Sequence, residues 1–136
     1  MLFRSLVSGR ISMLFDNLSS SLPLIKAGEV QALGVTTLKR SPAAPEILTF
    51  AEQGLSGFEA VSWFSLMAPA NLPSSIQKQL NQLTYRALND PEVKKRLLAG
   101  GLDPAPSSAK DLSRLIAQES AKWSRVVQQS GAKLEQ

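Results

Sequence analysis

Between Gly9 and Thr37 the chain sets two apolar runs around a short helical stretch with almost nothing between them. The run Ile11 to Phe15 is continuous rather than alternating, which predicts a strand buried on both faces. It ends abruptly in Asp16-Asn17, a polar pair suited to the mouth of a cleft. Asn17 or one of Ser19, Ser20 and Ser21 then caps a helix, with Pro23 fitting only its first turn, where a missing amide hydrogen does no harm. Gly28 suits the left-handed position that closes the helix, and Val30 to Val35 follows at once as a second strand. Such a βαβ unit is expected to be parallel and right-handed. In an open α/β sheet a ligand sits beyond the carboxyl ends of the strands, where helix amino termini point, so this stretch carries most of the functional signal.

With 136 residues the chain can form one ordinary domain or parts of two small lobes. At 43% hydrophobic and 19% charged residues it has enough apolar surface to offset the cost of ordering, so disorder is not expected. No apolar run is long enough to span a bilayer. Met1 to Val7 is too short for a signal peptide, so the chain as it stands is expected to carry no export signal and not to be membrane-inserted. The absence of histidine and cysteine removes thiol nucleophiles, the usual zinc sites and the commonest general base. The net charge of +4 is uneven: residues 1–62 hold five basic and five acidic side chains, and the excess lies on the segments beyond Pro69. Dispersed in this way it is a poor footprint for nucleic acid, which wants a clustered basic face.

Leu2 to Val7 reads as the end of a helix stopped by Gly9. After the βαβ unit the chain is loop-like from Leu38 to Pro45, then predicts a short helix from Leu48 to Gln53 ending at Gly54. Phe58 to Ala68 predicts one long strand, or two joined by a bend. Beyond Pro73 the spacing of Ile76, Leu80, Leu83, Ala87 and Leu88 is helical. Asp90-Pro91-Glu92 restarts a second helix with a cap, a proline at the first position and an acid in the first turn, and Gly100-Gly101 ends it. Ser108 to Asp111 resembles a capping box. Leu112, Leu115, Ile116, Trp123, Val126 and Val127 then line one face of a long last helix stopped by Gly131, and Trp123 is expected in the core.

The residues alone leave two readings of Asp16 and Asn17: contact with a ligand, or local bracing of the turn. Serine hydroxyls and exposed amides at a helix amino terminus are good carboxylate donors, whereas an ionised Asp16 can only orient water, accept from a ligand amine or hydroxyl, or brace the loop. Trp63 and Phe64 either wall a cleft or pack beneath a hinge as core. The serine run lacks a glycine-flanked elbow and a histidine base, and no paired carboxylates are recognisable, so no catalytic residues and no metal or cofactor are expected. Lys94-Lys95-Arg96 is a solvated face near a helix carboxyl end.

Taken together, Phe15-Asp16-Asn17, Ser20-Ser21-Leu22-Pro23, Ile25-Lys26-Ala27-Gly28, Ala32-Leu33-Gly34-Val35-Thr36-Thr37, Arg40-Ser41-Pro42, Phe50-Ala51-Glu52-Gln53-Gly54, Ser62-Trp63-Phe64, Asp90-Pro91-Glu92-Val93 and Glu119-Ser120-Ala121-Lys122-Trp123 are diagnostic by order and spacing. On them the chain resembles the carboxy-terminal portion of the substrate-binding proteins of tripartite tricarboxylate transporters, the Bug family. The resemblance implies an α/β fold that is part of a two-lobed, periplasmic binding protein-like (Venus flytrap, type II-like) architecture. By it, residues 1–62 are the latter part of the second lobe, 63–70 cross the hinge, and 71–136 are helices of the first lobe.

The same resemblance implies a non-enzymatic extracytoplasmic, periplasmic receptor for a small organic anion: a di- or tricarboxylate, an amino acid or an aromatic acid. Its partners would be membrane transporter subunits or a sensor protein, and its ligand-binding residues Phe15, Asp16, Asn17, Ser20 and Trp63. Family members are roughly twice as long, so the resemblance also implies a truncated chain lacking half the site. The alternative expectation is a non-binding fragment that self-associates, as a dimer or higher homo-oligomer, through exposed sheet edges.

Overall fold

The computed structural model describes residues 2–132. Five helices follow one another: α1 Leu2–Val7, α2 Leu18–Lys26, α3 Ser74–Asn89, α4 Pro91–Ala99 and α5 Ala109–Ser130. Their ends follow the local chemistry. Asp90 Oδ1 accepts from the amides of Glu92 and Val93 at 2.9 and 3.1 Å, with Pro91 at the first helical position of α4. The Ser108 hydroxyl oxygen accepts from the Asp111 amide and its hydrogen goes to the Asp111 carboxylate, so Asp111 closes the cap on the side chain of Ser108. Gly28 takes the left-handed conformation predicted for it, and the helix stops Gly9 and Gly131 take it too.

The predicted strands are where structure and sequence part. Ile11 to Phe15 and Val30 to Val35 run without regular secondary structure, and among the described residues no ladder joins them. The one β-bridge among the described residues is parallel and pairs Val35 with Thr49: the Val35 amide donates to the Leu48 carbonyl and the Phe50 amide to the Val35 carbonyl. A strand exists only through a neighbour that takes its amides and carbonyls along its length, and apart from Val35 these runs have no such neighbour among the described residues. The segment 58–68 is likewise extended without a ladder. Within it Ala60 is paired across to Thr36, its amide donating to the Thr36 carbonyl while the Thr36 hydroxyl donates back to the Ala60 carbonyl.

Two local expectations are corrected. The helix predicted over 48–53 is a run of turns, because Thr49 is committed to the bridge and a reciprocal pair closes the segment. The Thr49 amide donates to Glu52 Oε2 at 2.8 Å and the Glu52 amide to Thr49 Oγ1 at 3.0 Å. Pro23 is not in a first turn: α2 opens at Leu18, so Pro23 lies within the helix, where it forfeits the bond to the Ser19 carbonyl.

The core is small. Leu22, Ala44 and Ile47 are buried, with Leu18, Ile25, Ala32, Val35 and Ala43 packed around them, so α2 lies across the 41–47 loop and the 32–35 run. The carboxy-terminal part is pinned to this unit at three points. Buried Ser41 donates its hydroxyl to Asp103 Oδ1 at 2.9 Å, Gly101 lies against the backbone of Ser19, and Lys122 Nζ donates to the Glu59 carbonyl at 2.8 Å. Along the apolar stripe of α5, Leu112 and Ile116 are half-buried while Leu115, Val126 and Val127 are exposed. Trp123, expected in the core, is 40% exposed, with its indole N–H bonded to Glu119 and Lys122 Nζ 5.4 Å from its ring centre. No helix among the described residues is long and apolar enough to cross a membrane.

Arg40 and Glu52 form a forked pair, with Nε 3.0 Å from both carboxylate oxygens and Nη2 2.9 Å from Oε1. The Arg40 guanidinium first, and the Thr49 amide second, lower the Glu52 pKa from its ordinary 4.5 to about 2. Because the folded value is depressed, the pair's stabilisation is complete above about 4.5 and drains away as pH falls from there towards 2. Both side chains are about 40% exposed, so solvent and salt keep the effect modest. Urea midpoints of the wild-type chain and Glu52→Gln should therefore differ at pH 7 and converge by about pH 2. A gap that stays constant across that range would remove the ion pair as its source.

Candidate functional site

The turn into α2 brings Phe15, Asp16, Asn17 and Ser20 together. Asn17 takes the cap position with extended backbone, and its side chain makes no capping bond. Its carbonyl instead accepts from the Ser20 and Ser21 amides and from both of their hydroxyls. The Ser20 hydroxyl also reaches Asp16 Oδ2 at 2.7 Å, which ties the carboxylate back onto the first turn of the helix. Local bracing of Asp16 is thus visible in the geometry. The Asn17 side-chain amide and the backbone amides of Leu18 and Ser19 make no hydrogen bond within the described structure. Donors at the positive end of a helix suit an anion.

Phe15 lies 69% exposed beside this turn, its ring centre 6.3 Å from that of Phe50, which in turn meets Phe58 edge-on at 5.9 Å. The aromatic row sets an apolar surface beside this turn. Trp63 makes no ring contact with the row among the described residues. It is 37% exposed and Phe64 is 78% exposed, so neither packs as core beneath a hinge. A groove of about 610 Å³ lies elsewhere, between Ile25, Glu29, Val30, Ala32, Glu46 and Leu48. Two carboxylates on its lining make it unsuited to an organic acid. No cluster of potential metal ligands occurs among the described residues.

Sequence reasoning missed three structural residues: Ser41, Thr49 and Gly101. The Thr49-x-x-Glu52 spacing was the available signal for the second. The other two depend on partners about 60 and 80 positions away, Asp103 and Ser19, which no local pattern announces.

Residues 2–132 match the family described as the tripartite tricarboxylate transporter family receptor. The chain belongs to that receptor family, whose members bind solutes and are not enzymes. One curated relative, the UPF0065 protein of the tcbD–tcbE intergenic region of a Pseudomonas species, is 37% identical over 123 residues, which is 90% of this chain and 37% of that protein. Among solved structures, an R. palustris protein with adipate superposes with a TM-score of 0.84 at 36% identity, covering 96% of this chain and 44% of that one. MatC of Rhodopseudomonas palustris, with bound malate, gives 0.76 at 32% identity, over 93% of this chain and 44% of its own. The fold is therefore that of part of a periplasmic binding protein, although the chain spans less than half the length of these relatives.

Proposed function

We propose that this chain forms the carboxylate-binding, carboxy-terminal portion of a periplasmic receptor that passes a small dicarboxylate to a tripartite transporter. The observation that carries this reading is the close superposition on two receptors holding adipate and malate, both dicarboxylates. In this reading residues 1–62 are the latter part of one lobe, 63–70 the crossing and 71–136 helices of the other. The unpaired donors of Asn17, Leu18 and Ser19 take one ligand carboxylate, Phe15 lines the aliphatic part, and Trp63 faces the cleft from the crossing segment. Asp16 serves as a brace, kept off the ligand by its bond from Ser20.

The chain is titrated by calorimetry with adipate and malate, against hexanediol as a ligand without charge. Both acids should bind and the diol should not. If neither acid binds, the receptor reading of this chain fails. The roles of Asp16 and Ser20 separate by sign. Ser20→Ala frees a carboxylate beside the anion and should weaken binding about three- to tenfold. Asp16→Asn removes that charge and should tighten binding by a similar factor, about three- to tenfold. Weaker binding by Asp16→Asn would instead make Asp16 a direct acceptor for a ligand hydroxyl or amine.

A further inference from the structure

We infer that Asp103 is a positioning residue for the anion donors at the start of α2: through the buried hydroxyl of Ser41 and the approach of Gly101 to Ser19, it fixes where that turn stands. The inference rests on the receptor reading above and deepens it, because it assigns the placing of the same donors to a residue that need not touch the ligand.

The contacts close into a ring. Gly101 lies against the nitrogen and Cα of Ser19, so backbone meets backbone at the first turn of α2. Two positions on, Asp103 Oδ1 accepts the Ser41 hydroxyl at 2.9 Å. Ser41 opens the 41–47 loop, whose Ala44 and Ile47 pack against Leu22, one turn beyond Ser19 on α2. From Ser19 the path therefore runs through Gly101, Asp103, Ser41, Ala44 and Leu22 and returns to the helix it left. The segment that carries Gly101 and Asp103 is itself held at both ends. The Gly101 amide donates to the Leu98 carbonyl at 3.0 Å, the Leu102 amide to the Leu97 carbonyl at 2.9 Å, and Asn81 Nδ2 to the Ser107 carbonyl at 3.0 Å. Close-packed backbone anchored in this way transmits a displacement rather than absorbing it.

The Ser41–Asp103 bond is the polar link in this ring, and the burial of Ser41 makes it specific. Ser41 is buried; its hydroxyl oxygen accepts from the Ala43 amide at 3.2 Å, and its hydrogen goes to Asp103. Without Asp103 a buried donor loses its partner, and the 41–47 loop must shift to find another. Asp103 itself is exposed, so its side chain can be replaced without opening a cavity. Donors converge on an anion only when they are held within about 0.5 Å of the productive geometry, so a small tilt of the first turn of α2 is enough to misaim Asn17, Leu18 and Ser19. A carboxylate repels a ligand anion, which fits Asp103 for placing the turn and not for contact.

The test measures, on the full chain, amide exchange by NMR and adipate affinity by calorimetry. Asp103→Asn keeps an acceptor at the same place and loses the charge, whereas Asp103→Glu keeps the charge and misplaces the acceptor. Without ligand, exchange of the Ser20 and Ser21 amides, which are bonded to the Asn17 carbonyl, should quicken at least about fivefold in Asp103→Ala and Asp103→Glu. In Asp103→Asn, and in Asn81→Ala, which releases only the far end of the segment, it should stay within about twofold. Adipate affinity should follow the same order, falling about three- to tenfold in the first two variants and holding in the other two. Coupling is reciprocal, so adipate should slow exchange at the Gly101 and Leu102 amides of the wild-type chain and not of Asp103→Ala, a readout that loss of stability alone would not move. The proposal falls if Asp103→Ala leaves the Ser20 and Ser21 amides unchanged. It also falls if Asp103→Glu matches the wild type while Asp103→Asn departs from it in either direction, since charge and not placement would then be at work. If the wild-type chain binds no adipate, the receptor reading fails, and the ligand-free exchange still decides whether Asp103 places this turn.

Discussion

Replacing Gly101 with alanine should lower the unfolding free energy by about 2–4 kcal/mol, from two costs that act together. The first is conformational: Gly101 sits at φ +73°, in the left-handed region where a side chain costs about 1–2 kcal/mol. The second is steric. A Cβ at this position would lie 2.9 Å from both the Cα and the nitrogen of Ser19 and 3.0 Å from the carbonyl carbon of Leu18. All three atoms are backbone at the start of α2, so no rotamer change relieves the contact. Gly131→Ala is the internal control. It shares the left-handed conformation, at φ +66°, but nothing lies within 4 Å of its Cβ, so it should cost only about 1–2 kcal/mol. Urea unfolding of the two variants side by side isolates the steric part. Equal losses would mean that the approach of Gly101 to Ser19 is not tight in solution. Because Ser19 adjoins the donors at the start of α2, Gly101→Ala should also weaken the proposed carboxylate binding, and Gly131→Ala should not.

That contact marks the limit of what the residues disclose on their own. Helix boundaries were legible because their chemistry is local: Asp90-Pro91-Glu92, Ser108 with Asp111, and the stops at Gly9, Gly28 and Gly131 each act within a few positions. The turn at Asp16 and Asn17 was legible for the same reason. The strands were not, since apolar content at Ile11 to Phe15 and Val30 to Val35 states a wish for neighbours without supplying them. Trp123 shows the same gap. Its place on an apolar stripe is a property of α5, but its burial would need a surface to meet that part of the stripe, and Trp123, Val126 and Val127 stay exposed. Asp16 illustrates the middle case. Two roles were open from sequence, and the bond from Ser20 favours bracing because the spacing of four residues closes on a helix turn.

Leu22→Ala should cost about 2–5 kcal/mol, a large share of the stability of a domain whose core is this small. Leu22 is 2% exposed, and Ala44 and Ile47 are the other buried hydrophobic residues among those described. Its side chain is the point at which α2 grips the 41–47 loop, and that loop carries Ser41, whose hydroxyl holds Asp103 in the carboxy-terminal part. Removing the isopropyl group leaves a void lined by Ile47, Ala44 and their half-buried neighbours. The surrounding turns can collapse only by moving the start of α2, and with it the donors of Asn17 and Leu18. Loss of stability and loss of carboxylate affinity are therefore expected together. Leu22→Met keeps the volume and should cost less than about 1.5 kcal/mol, and Leu83→Ala, at an exposed position on α3, should stay within about 0.5 kcal/mol. Denaturant midpoints for the three variants decide the matter. If Leu22→Ala proves no more damaging than Leu83→Ala, the buried cluster beneath α2 is not what holds this chain together.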